Sequence, residues 1–245
     1  IYRSIEMEEK LVPYFTIDID RWNYDPSHEK KSDTGFCGLR NLGATCYFNS
    51  ILQILFFTKP FCQLVLQQKE SNIELRKLFS SLVLSKQRSV DTSPLTSVWK
   101  GWESKPIDPH EQQDALEFFQ MFVDKLPSDF HEFFKGKFIN TYKGIDLSKE
   151  EMEKFGEFEN YEDFFAIQLV IKDFNNLTES FDHFISPDIL NEENQLYRES
   201  LGRKVDAEKI TRIEKAPPFL AIQLKRFEYN CVTNVRDKIM TPYEF

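Results

Sequence analysis

The run from Gly38 to Phe57 constrains this chain more than any other. Gly38-Leu39-Arg40-Asn41-Leu42-Gly43-Ala44 is turn-prone, and it passes at once into Thr45-Cys46-Tyr47-Phe48-Asn49-Ser50 and the helical-looking Ile51-Leu52-Gln53-Ile54-Leu55-Phe56-Phe57. Such a segment turns and then opens a helix at Cys46. The thiol then stands at the positive end of the helix macrodipole, among backbone N–H groups that have no partner within the helix. Both favour the thiolate, the nucleophilic form of cysteine. The glycines let the backbone come close to whatever lies in front of the sulfur. Upstream, Asn41 is placed to offer a side-chain amide to an oxyanion. These features read as the nucleophile of an acyl-transfer cysteine enzyme. A cysteine in an apolar helix also reads as a small buried hydrophobe, and the physics of the segment alone leaves both readings open.

The rest of the chain carries further elements. Apolar residues at Leu75, Leu78, Phe79 and Leu82 predict an amphipathic helix over 73–84. Ser93-Pro94 predicts another helix start, with the serine as cap and the proline at the first position. Trp99 and Trp102 are expected in core packing. In Asp108-Pro109-His110-Glu111-Gln112-Gln113-Asp114-Ala115-Leu116-Glu117-Phe118-Phe119, an apolar stripe of Ala115, Phe118, Phe119, Phe122 and Leu126 marks a core helix. Asp114 and Glu117 project together from another face of it. Periodicity alone makes that face an ordinary solvated one. Residues 130–145 read as the start of a β-rich section, Phe164–Ile171 reads as a strand, and Leu177–Phe184 reads as a short helix. Ala216–Tyr229 reads as one long strand with Leu220, Ile222 and Leu224 on one face. Glu150–Asp163, with seven acidic residues against one lysine, is expected to be a solvated, partly mobile loop. Near the start, Leu11–Ile17 reads as a short strand interrupted by Pro13. Asp25–Thr34 reads as a polar linker, so a boundary is expected near residue 30.

Composition narrows the class. Hydrophobic content of 41% and 24 phenylalanines belong to a folded chain, and 245 residues suffice for a sizeable core. A net charge of -9 argues against a nucleic-acid surface. The four cysteines, Cys37, Cys46, Cys62 and Cys231, form no CxxC pair. That excludes a disulfide framework and a thiolate zinc site, and it suits a reducing, intracellular setting such as cytoplasm or nucleus. No run of about 18 apolar residues offers a membrane span, and no cofactor motif stands out.

GLRNLGATCYFNSILQ resembles the Cys box of the ubiquitin-specific proteases, a family of papain-like deubiquitinating enzymes. HEQQDALEFF resembles the family's Gln-x-Asp-x-x-Glu box, and PPFLAIQLKRFEYN resembles its third recurring segment, a palm strand leading toward the catalytic His box. The resemblance runs from about residue 33 to the last residue. The TGF lead-in at 34–36 and the Gly101-Trp102-Glu103 segment are most similar to the herpesvirus-associated type. It implies an α+β, papain-like cysteine peptidase fold with a helical thumb over about 35–130 and β-rich fingers and palm over about 131–245. Residues 1–32 would be a leader, a linker or the end of an upstream domain. The implied activity is hydrolysis of the bond after ubiquitin's C-terminal glycine through a Cys46 thioester. Asn41 would serve as oxyanion donor, and Gln112, Asp114 and Glu117 would line the channel for the ubiquitin tail. Ubiquitin and ubiquitinated proteins are the implied partners.

Two departures from the family pattern qualify this. Its fingers often hold zinc through two CxxC pairs, whose places here are Thr141-Tyr142-Lys143-Gly144 and Arg198-Glu199-Ser200-Leu201, without cysteine. Packing, not zinc, is expected there. The general-base histidine and its orienting Asp or Asn fall after the palm strand in the family, and none of His28, His110, His131 and His183 occupies such a place. The catalytic domain is therefore expected to be incomplete at its C-terminus. His28 is expected in a solvated loop, His110 in a capping or packing role, and His183 packed or at the surface. A catalytically incomplete ubiquitin-binding module of the same fold is the alternative.

Overall fold

The computed structural model describes residues 30, 31, 33, 35–68, 72–231 and 234–244; the interrupted strand expected over 11–17, and His28, lie outside these residues. The chain divides into two compact units, one ending at Gln113 and the other running from Asp114. Lys30 already pairs with Gln87, and the Lys31 N–H donates to the Lys86 carbonyl, so the first unit has taken hold of the chain by this point.

The first unit is a helical layer with a short parallel pair. Helix α1 (Cys46–Phe57) bends by 92° into α2 (Lys59–Gln67), whose start is set by Pro60. Helix α3 (Ile73–Leu84) buries Leu75, Leu78, Phe79 and Leu82, the residues its spacing predicts. These pack with Phe48, Leu52 and Leu55 of α1 and Phe61 and Val65 of α2 in the buried interior. Burial of such side chains is worth roughly 1.5–3 kcal/mol each. Strand β1 (Gly38–Leu39) pairs in parallel with β2 (Ser89–Val90), which leads into α4 (Ser93–Val98). The expected cap of α4 shifts by one residue. Ser93 lies inside the helix, and Asp91 accepts both the Ser93 N–H at 3.0 Å and its hydroxyl at 2.8 Å. Trp99 and Trp102 are only half-buried, so they flank the core instead of filling it. None of the described helices is long and apolar enough alone to cross a membrane.

The second unit opens with α5 (Ala115–Asp124), which buries Leu116, Phe118, Phe119, Phe122 and Val123. After the one-turn α6 (Ser128–His131), β3 (Gly136–Gly144) becomes an inner strand of an antiparallel sheet. It lies between β4 (Phe158–Phe164) and β9 (Ala207–Lys215), and β6 (Asp188–Leu190) closes the far edge. Strand β5 (Ala166–Val170) pairs in parallel with β10 (Ala221–Lys225). Helix α8 (Leu177–Ile185) joins their side chains in one core of Phe164, Ile167, Leu169, Phe138, Phe181, Phe184, Ile213, Ile222 and Leu224. Phe138 and Phe164 stack at 4.0 Å, and a Cβ on Gly136 would lie 2.2 Å from the Phe164 ring, so only glycine fits there.

Two expectations are corrected. The acidic segment 150–163 is no loop: it forms α7 (Lys149–Phe155) and β4. A capping box starts α7, with the Ser148 hydroxyl accepting the Glu151 N–H and the Glu151 carboxylate accepting the Ser148 N–H. A hydrogen bond from Arg203 and those from Ser148 hold the Glu151 carboxyl down at about 2. The remaining acidic side chains are exposed, from α7 through β4, an edge strand paired residue by residue with β3. The long strand expected over 216–229 is also two strands. The Arg226 N–H turns back to the Leu224 carbonyl at 2.8 Å, ending β10, and β11 (Phe227–Asn230) then forms its own antiparallel ribbon with β12 (Val235–Lys238).

The two segments that stand where the family's cysteine pairs would fall do meet in space. Tyr142 stacks on Phe158 at 4.9 Å and 9°, and the Arg198 guanidinium lies 4.3 Å from the same ring and 5.4 Å from Phe155. Arg198 Nε and Nη2 both donate to the Phe155 carbonyl, at 2.9 and 2.7 Å. Arg198 thereby ties β7 (Leu196–Arg198), which pairs with β8 (Arg203–Val205), to the end of α7. A tyrosine and an arginine offer no thiolate, so these residues do not fit a zinc ion. Arg198→Ala is expected to cost about 1–3 kcal/mol from the lost ring contact and carbonyl bonds. Arg198→Lys should recover little of it, because an ammonium cannot reproduce the planar fork. Urea unfolding of the two variants checks this.

Candidate active site

Cys46 is the first residue of α1, and its thiol is exposed, which rejects the buried-hydrophobe reading. No side chain caps the start of α1. The preceding Thr45 hydroxyl turns away from the helix. It accepts the Leu42 N–H at 3.1 Å and donates to Asn41 Oδ1 at 3.0 Å. Asn41 Oδ1 also accepts the N–H groups of Gly43 and Thr45, both at 3.1 Å. Two backbone donors on one atom fix the orientation of the amide, since an NH2 group there would face donors. The Asn41 amide therefore keeps its oxygen inward, and its N–H donors lie on the other side of an exposed side chain.

The strand leading to this turn is held from the helix. Asn49 Nδ2 donates to the Arg40 carbonyl at 3.0 Å, and Gln53 Nε2 donates to the Cys37 carbonyl at 3.1 Å. Thr92 adds a bond to the same Arg40 carbonyl, and the Arg40 N–H reaches the Val90 carbonyl. Sequence reasoning missed Thr45, Asn49 and Gln53. A signal existed: Asn49 and Gln53 are polar residues one helical turn apart in a mostly apolar helix.

The segment after Ile107 closes on the turn. The Ala44 N–H donates to the Pro109 carbonyl at 2.6 Å, and Asp108 Oδ1 accepts the His110 N–H at 2.8 Å. Tyr47, next to Cys46, is buried and meets Trp102 edge-on at 6.1 Å. Burial first, then the charges of Glu111, Asp108 and Cys46, raises its phenol above the ordinary range, so it stays neutral. Gly43 sits at φ +143°, and a Cβ there would lie 2.8 Å from the Pro109 oxygen.

Of the expected tail-binding residues, exposed Gln112 belongs to the first unit with Cys46 and Asn41. Asp114 and Glu117 belong to the second. Asp114 is the N-cap of α5, its Oδ1 accepting the N–H groups of Leu116 at 2.8 Å and Glu117 at 3.0 Å. It is thus a helix cap as well as an exposed carboxylate. His110 is exposed, with Nδ1 3.6 Å from where a Gly43 Cβ would stand. His131 and His183 pack against Phe165 and Phe174 in the second unit. Among the described residues, no cluster of His, Cys, Asp or Glu could hold a metal ion.

Gly43→Ala is expected to destabilise the chain by roughly 1–3 kcal/mol, from a disfavoured backbone conformation and a clash with a carbonyl that has no free rotor to yield. Chemical denaturation measures it.

Residues 37–245 match the family model described as ubiquitin carboxyl-terminal hydrolase. The chain is 34% identical over 241 residues to "Ubiquitin carboxyl-terminal hydrolase 15" of Saccharomyces cerevisiae, covering 91% of this chain and 19% of that protein. It is 34% identical over 233 residues to "Ubiquitin carboxyl-terminal hydrolase 7" of Drosophila melanogaster, covering 89% and 20%. With "Ubiquitin carboxyl-terminal hydrolase 34" of Homo sapiens it shares 28% over 240 residues, covering 92% and 6%. The chain thus spans about a fifth or less of the length of these curated relatives. The α+β architecture, the exposed Cys46 at a helix start and the match over residues 37–245 lead to one conclusion: the chain belongs to the ubiquitin carboxyl-terminal hydrolase family, as a ubiquitin-specific protease catalytic domain.

Proposed function

We propose that the chain forms the nucleophile-bearing part of a deubiquitinating thiol protease. The observation that carries this is the exposed Cys46 at an uncapped helix start, directly after a residue bonded to the oriented Asn41 amide. Cys46 sulfur attacks the carbonyl carbon of ubiquitin's C-terminal glycine, forming a tetrahedral oxyanion. Asn41 Nδ2–H and the N–H groups opening α1 donate to that oxygen. A general-base histidine takes the thiol proton and returns it to the leaving amine, and water then hydrolyses the thioester.

Gln112, Asp114 and Glu117 receive the extended ubiquitin tail. Acidic and amide acceptors suit its backbone N–H groups and arginines. Four free cysteines fit an intracellular, reducing setting, in cytoplasm or nucleus. The TGF lead-in at 34–36 and the Gly101-Trp102-Glu103 segment are what support the herpesvirus-associated subgroup.

The test uses the full-length protein and a ubiquitin carrying a C-terminal electrophile. One adduct on Cys46, absent in Cys46→Ala, is expected; an adduct on another residue, or isopeptide cleavage surviving Cys46→Ala, overturns the proposal. Asn41→Ala should lower kcat by about 10²–10³ with little change in KM.

A further inference from the structure

Thr45 is fully buried, yet its hydroxyl does not cap the helix it precedes. Asn41 Oδ1 only accepts, so the Thr45 hydroxyl spends its proton on that oxygen and offers a lone pair to the Leu42 N–H. It therefore links the Asn41 side chain to the backbone N–H of the next residue, Leu42. We propose that Thr45 is a positioning residue for the oxyanion donor: its hydroxyl fixes the Asn41 amide plane and polarises it for donation from Nδ2. This rests on the role given to Asn41 above.

Two effects act together. Three donors converge on Asn41 Oδ1, two of them backbone N–H groups and one the Thr45 hydroxyl. Each draws electron density toward the oxygen, and hydrogen-bond chains of this kind strengthen one another by perhaps 10–30% per bond. The outward N–H groups become better donors to a developing negative charge. The second effect is geometric. Without the hydroxyl, the Leu42 N–H loses its partner, and the Leu42–Gly43 backbone is free to shift. The Gly43 N–H that pins the same oxygen would shift with it. A donor displaced by about 1 Å can cost on the order of a hundredfold in rate. Asn49 holds the Arg40 carbonyl, one residue before Asn41, so the strand stays in place while the turn and the amide it holds loosen.

The experiment compares Thr45→Val, which keeps the shape and removes the hydroxyl, with Thr45→Ser, which keeps the hydroxyl. Both are measured in the full-length protein on a ubiquitin substrate, alone and combined with Asn41→Ala. Thr45→Val is expected to lower kcat roughly tenfold to a hundredfold, with KM and the noncovalent ubiquitin Kd unchanged. Thr45→Ser should stay within about twofold of the parent. The Asn41→Ala/Thr45→Val double variant should be no slower than Asn41→Ala alone, because the hydroxyl then has nothing to orient. Additive losses in the double variant, equal losses for valine and serine, or a Thr45→Val protein that no longer folds would each overturn the proposal. If Asn41→Ala itself retains the parent kcat, the oxyanion role of Asn41 fails first, and that result is read independently of Thr45.

Discussion

Between Leu39 and Cys46 the backbone must leave an extended strand and enter a helix within about two turns' length, with no ladder to satisfy its polar groups. Buried N–H and C=O groups without partners are costly, so side chains take over that task. Asn41 serves the N–H groups of Gly43 and Thr45, Thr45 serves that of Leu42, and Asn49 and Thr92 serve the Arg40 carbonyl. The same bonds that make the turn possible leave the Asn41 amide facing outward and the start of α1 uncapped. Structure and chemistry here are one arrangement: an ordinary serine or aspartate cap would stabilise the helix and use up the donors beside the thiol.

Much of the helical unit was legible because its helices carry one apolar face. Leu75, Leu78, Phe79 and Leu82 are buried as their spacing requires, and Cys46 begins a helix as its context requires. Legibility failed where charge density was taken as a proxy for disorder. In 150–163 the acidic side chains other than Glu151 are exposed, while Phe155, Phe158 and Phe164 hold the segment to the core and Ser148 with Glu151 starts the helix. Burial of a few aromatics outweighs a solvated acidic face. The break at Arg226 left no trace in the alternation of apolar residues, because a local turn from Arg226 to Leu224 disturbs hydrogen bonding without changing composition.

At the candidate site, Cys46 and Asn41 could be singled out from residue type and position, since the proposed chemistry would demand such atoms. The supporting residues could not. Thr45, Asn49, Gln53 and Pro109 act through backbone carbonyls and N–H groups brought near by folding. Asp114 shows the opposite ambiguity. A carboxylate before an apolar helical run signals a cap and a ligand equally well, and its oxygen does cap α5.

The corner built on Arg198 carries a consequence for the conditions under which the sheet holds its shape. A thiolate-bound corner comes apart when its sulfurs are oxidised or protonated. Neither the Arg198 guanidinium nor the Phe155 and Phe158 rings carries a sulfur to oxidise, so none of them responds to redox poise. Oxidation of the exposed Cys46 thiol would therefore leave this corner intact, so that a change at that sulfur and a loss of shape come apart.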